Sequence, residues 1–225
     1  MTCTWDVDAD CSNCELEGEL DCKWERRLLL RFYKIASLAL VSGLSAFIFI
    51  GLIHSWIPLI TYLVFWIFFF GFFEIRVLCS HCPYYADEGR TLHCLANHGT
   101  IKIWRYHPEP MNTYEKLGFL GGALFFMLFP IVTELHTIYT LLDFAGNLNE
   151  TIVALTVLAV GSVIGGGIFF FGLITRICIS CVNFSCPLNR VPRKVVDTYL
   201  KRNPIMKEAW ENKGYKIDSD ARVCM

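Results

Sequence analysis

Residues 35–75 read IASLALVSGLSAFIFIGLI, then HSW, then IPLITYLVFWIFFFGFFEI: two apolar runs, Ile35 to Ile53 and Ile57 to Ile75, with only His54-Ser55-Trp56 between them. Each run is long enough to cross a hydrocarbon core of about 30 Å as a helix, where every backbone polar group must be satisfied internally. The three-residue link forces a tight helical hairpin. Leu117 to Leu135 and Ile152 to Thr175 repeat the pattern, giving a second hairpin. At 225 residues, 54% hydrophobic residues, 18 Phe and a mean hydropathy of +0.44 are too apolar for an ordinary soluble domain. The expected fold class is an all-α integral membrane protein with four transmembrane helices and the lipid bilayer as its solvent.

Charge distribution supplies a topology. The net charge of -1 points to no nucleic acid partner, but all 20 Lys and Arg fall in three places: Lys23 to Lys34, Arg76 to Lys116, and Arg176 to Arg222. The connections around His54 and from His136 to Glu150 contain none. By the positive-inside rule both termini and the 76–116 loop are cytoplasmic. The acidic first 27 residues lack a basic stretch followed by a short apolar core, so they do not read as a signal peptide. All 11 cysteines then lie on the reducing side, where ligands are a better reading than disulfides. Cys224 is one residue from the end, out of register for a prenylation box. The expected divisions are a tail at 1–27, hairpins at 28–75 and 117–175, a Cys/His loop at 76–116, and a C-terminal segment at 176–225.

Within the spans, Glu74 and Glu134 read as lying near opposite interfaces, leaving no charge at mid-depth. That pattern disfavours a pump or charged-solute carrier. Gly118 and Gly122, and Gly161 and Gly165, are small-xxx-small pairs suited to close helix contact. Span two, from Phe65 to Phe73, is built of large rings that face lipid or pack together. Pro58 fits a first helical turn, whereas Pro130 predicts a kink.

The chemistry lies where the hairpins end. Arg76-Val-Leu-Cys79-Ser-His81-Cys82-Pro83 and Arg176-Ile-Cys178-Ile-Ser-Cys181, with Cys186-Pro187 behind it, share an exit arginine, a C-x2-C pair and a Cys-Pro. The shared plan suggests a parallel pseudo-two-fold repeat bringing both groups under one bundle. Cys79, Cys82 and Cys94, with His81, His93 and His98 interleaved, and Cys178, Cys181 and Cys186 are candidate ligands for zinc or an iron-sulfur cluster. Cys3, Cys11, Cys14 and Cys22, spaced C-x7-C-x2-C-x7-C, form a separate candidate set; the alternative is an acidic tail with unligated thiols. His54 and His136 occupy equivalent outer positions, where paired imidazoles could hold haem.

Asn203-Pro204 starts and Gly214 stops a short amphipathic helix, and Val195, Val196, Tyr199 and Leu200 form a similar face before it. Their apolar sides are expected to bury against the rest of the protein. No Ser-His-Asp set, catalytic carboxylate pair or phosphate loop is visible. Three functions fit: a binding or assembly protein whose metal fixes a cytoplasmic surface for a protein partner, an iron-sulfur redox protein serving a quinone, and a metal or thiol handling protein.

Overall fold

The structure, a computed structural model, describes residues 3–6, 8–11, 13–145 and 149–218; Arg222 and Cys224 lie outside them. Four of its helices are long and apolar enough to span a membrane: Arg26–Ile53, Ile57–His81, Thr113–Phe144 and Glu150–Arg176. The first is α1 (Arg26–Ile53). The second comprises α2 (Ile57–Phe68), a π-helical turn at Phe69–Phe73, and α3 (Glu74–Val77). Pro58 sits in the first turn of α2, where a missing N–H costs nothing. The remaining two spans are α4 (Thr113–Ala145) and α5 (Glu150–Arg176), the latter capped by Asn149, whose side chain accepts from the Ile152 N–H. Among the described residues the only β feature is an isolated bridge between Thr91 and Ile101.

The two hairpins pack by different means. α1 lies closely along α5, and the contact depends on glycine: a Cβ on Gly165 would stand 3.0 Å from the Ala39 Cα. α2 meets α4 mainly through rings, with Phe65 on Phe125 at 4.4 Å between centroids and Tyr62 stacked on Phe126 at 5.1 Å. The Phe69 and Phe73 rings cover Gly122 and Gly118. Trp66, Ile67, Phe68 and Phe72 point outward, so span two does both things its composition suggested. A strict two-fold would make α1–α5 and α4–α2 equivalent. One glycine-lined and one aromatic contact depart from that equivalence.

Where the structure differs from the sequence reading is at depth. α4 does not stop near Leu135 but continues through His136, Thr137, Thr140 and Asp143 to Ala145. Thr133, Thr137 and Thr140 bond back to carbonyls on the preceding turn, so these polar residues extend the helix instead of ending it. Glu134 consequently does not mark an interface. Its carboxylate accepts from Ser162 Oγ at 2.7 Å. Ser162 is 12 residues from Glu150 and 14 from Arg176, about 18 and about 21 Å from the two ends of α5. Glu134 thus lies level with the middle of α5, not with either of its ends.

At the other end, α6 (Arg193–Arg202) and α7 (Pro204–Asn212) fold back over the segments that leave the bundle. Val196, Tyr199, Leu200, Met206 and Trp210 bury with Leu16, Leu20, Tyr84, Leu95 and Val182 in one core. Gly214, at a φ of 88°, ends α7 in the left-handed region open to glycine. Asn203 precedes Pro204 as expected, but its side chain is spent elsewhere. It accepts from the Cys3 N–H at 2.7 Å and donates to the Tyr199 carbonyl at 2.8 Å.

Candidate functional site

The N-terminal tail, the 79–112 loop and the 177–218 segment interlock into a single cap. Tyr84 donates its hydroxyl to the Asp21 carbonyl, Ser180 to the Asp21 carboxylate at 2.6 Å, Trp5 to the Pro83 carbonyl at 3.0 Å, and Trp24 to the Cys94 carbonyl at 3.1 Å. Asn183 donates to the Leu78 carbonyl at 3.0 Å, joining the two hairpin exits. The acidic tail is therefore packed structure. All ten described cysteines are free thiols, and all of them belong to this cap.

Four of those thiols share a local device. A backbone N–H favours the thiolate at each: that of Tyr84 at Cys82, Ala96 at Cys94, Asn183 at Cys181 and Leu188 at Cys186. In every case the donor lies two residues downstream. Such N–H groups stabilise negative charge on sulfur. The same four interact through their charges, with Cys178 among them: Cys82 feels Cys94, Cys181 and Cys186, and Cys181 feels Cys186, Cys178 and Cys94. Two of the four come from each half of the chain.

Burial works against the charged forms. It pushes the Cys82 and Cys181 thiols well up and Cys186 up to about 12, with neighbouring thiols adding to the effect. Cys94 moves down instead, because it accepts from the Cys79 thiol and from the N–H groups of Leu95, Ala96 and Asn97. Cys178 is pushed to about 11 by burial, against the opposing Arg190 charge. Among the described residues no three His, Cys, Asp or Glu side chains stand in the geometry of a formed metal site.

The N-terminal set is electrostatically connected too. Burial raises Cys22 to about 12, reinforced by Cys3, Cys14 and Cys11. Cys3 is also raised by burial, and its sulfur accepts from Asn203 Nδ2 at 3.3 Å. Cys11 is exposed. This set lacks the run of downstream N–H donors that marks the central four.

The histidines are dispersed. His81 is buried, with Nδ1 2.7 Å from the Glu109 carbonyl and Nε2 3.4 Å from Glu115, which also meets Arg76 at 3.2 Å. These contacts hold its ring among oxygens. His98 stacks on Trp24 at 4.4 Å between centroids, with His93 beside both, and the Nδ1 of each is buried without a hydrogen bond. His54 and His136 are both exposed. His107, absent from the sequence-derived candidates, packs against His81 and lies 3.1 Å from Glu109. Asn97 was also missed. It bridges Glu74 at 2.8 Å and Cys79 Sγ at 3.4 Å. A signal for it existed: Cys94-Leu-Ala-Asn97 and Cys186-Pro-Leu-Asn189 are both C-x-x-N, one in each half.

Fold and site together define a helical protein with four membrane-length spans and a cap that holds the ten described thiols. Comparison with protein-family models, curated proteins and solved structures finds no match.

Proposed function

We propose that the cap is a tetrathiolate metal centre formed by Cys82, Cys94, Cys181 and Cys186, and that the metal fixes a cytoplasmic surface for a protein partner. What supports this reading is that four buried thiols, two from each half of the chain, lie close enough to feel one another's charge, each with a backbone N–H two residues downstream that favours its thiolate. The N–H groups supply at the thiolates what burial removes, an arrangement useful to a ligand set and of little use to neutral packing thiols. Metal binding draws the four sulfurs together and releases their protons, joining the exit of the first hairpin to that of the last. Cys79 and Cys178 stand behind the set, Cys79 through its bond to Cys94. Cys3, Cys11, Cys14 and Cys22 form a second candidate set that would clamp the tail to α6 and α7. By the positive-inside rule, the basic residues flanking the cap favour the cytoplasmic face for it.

A second reading has its own support. Cys79 beside Cys94 favours the Cys94 thiolate while its own thiol is held protonated, an arrangement suited to thiol handling. Metal and labile-sulfide analysis of protein purified without oxygen, with optical and paramagnetic spectra, separates the readings. Stoichiometric zinc with a featureless visible spectrum supports a structural centre. Iron with labile sulfide would replace it with the redox function, and absence of metal would leave thiol handling.

A further inference from the structure

Glu134 lies outside the cap and has no part in the function proposed for it. The residue is fully buried, at 0% exposure, between helices rather than toward lipid. One carboxyl oxygen accepts from Ser162; the other, Oε2, is buried with no hydrogen-bond partner. No cation balances the group. Between Lys34 and His54, α1 carries no titratable residue; α2 presents only Tyr62; α5 has none between Glu150 and Arg176; and on α4 itself the nearest is His136, which is exposed. Ser162 also lines a cavity of about 20 Å³ with Ala39, Gly43, Tyr62, Phe126, Met127, Pro130 and Gly166. That volume suffices for one water. Pro130 has no N–H to give the Phe126 carbonyl one turn back, so an acceptor is freed beside the same cavity.

An ionised carboxylate with one hydroxyl donor and no counter-charge at this depth would be expensive. A proton on Oε2 removes the charge and converts the orphan acceptor into a donor. Ser162 links the two features, holding the Glu134 carboxyl and lining the cavity, which has room for one water beside the freed carbonyl. We propose that Glu134, Ser162 and this cavity form a membrane-embedded proton-binding site whose proton exchanges with solvent.

Infrared spectroscopy of the full-length protein in lipid vesicles at neutral pH tests this directly. The expected result is a carboxylic-acid C=O stretch that disappears in Glu134→Gln, changes frequency in Ser162→Ala as its hydrogen bond is lost, and moves on transfer to D₂O without unfolding. The Ser162→Ala change assigns the band independently if Glu134→Gln fails to fold. A carboxylate band in its place, removed by Glu134→Gln, would overturn the proposal. So would an acid band that never responds to D₂O, which would make the group a sealed structural carboxyl. Metal analysis of the cap is unaffected by either outcome.

Discussion

At the residue scale, the account stands on four sulfurs and the amides beneath them. Cys82→Ser, Cys94→Ser, Cys181→Ser and Cys186→Ser are each expected to abolish metal retention at the central site. Cys11→Ser, at an exposed thiol of the other set, should leave it intact. Elemental analysis of the purified variants measures this; equal retention in all five would remove the ligand assignment. Burial also sets a pH dependence for metal-free protein. Burial pushes the Cys178, Cys22 and Cys186 thiols up to about 11, 12 and 12, from 9.0 for a free thiol. As pH rises above 9 the unfolded thiols lose protons first, so the stability these groups contribute is intact below about pH 9 and is lost toward pH 12. The unfolding temperature of the cap, followed by fluorescence of Trp5, Trp24 and Trp210, is expected to fall through that window. The C-x2-C pairs were legible because they are contiguous. The shared exit plan also foretold that the two groups would meet, but not which thiols would lie nearest one another, because that depends on how two chain segments about 100 residues apart pack.

At the element scale, the helices were read almost whole and their ends were not. Apolar runs locate spans because lipid admits little else, but hydropathy fades where α4 turns polar while its backbone ladder continues. Reading the end of hydrophobicity as the end of the helix misplaced Glu134. The glycine pairs were read correctly as contact surfaces, and their partners define a test. Gly165→Ala drives a methyl into the Ala39 backbone at 3.0 Å, an overpacking expected to cost about 1–3 kcal/mol. Gly121→Ala meets nothing within 4 Å and should leave stability unchanged or slightly raised. Unfolding of both variants in mixed detergent micelles, followed by circular dichroism, should separate them. Equal stability would mean that α1 and α5 are not pressed together at Gly165.

For the whole molecule, the spans carry the cap and the cap ties their ends. The tail, the central loop and the C-terminal helices come from the two ends and the middle of the sequence, yet their apolar faces close into one core. Composition foretold buried faces on α6 and α7 but not that Leu16 and Leu20 of an acidic tail would join them. Those two leucines sit among charges, which masks them in any hydropathy window. The charge count predicts a cytoplasmic position for this assembly. A membrane-impermeant maleimide applied to intact cells or spheroplasts should leave Cys11 unlabelled and label a cysteine placed at exposed Asn149. The reverse pattern would invert the topology and with it the argument for reduced thiols. The central claim, that the cap is held by metal on sulfur, is tested most directly by X-ray absorption at the metal edge of protein purified without oxygen. The account expects a stoichiometric metal whose first shell is four sulfurs at about 2.3 Å. A shell of nitrogen and oxygen, or no stoichiometric metal at all, would contradict it.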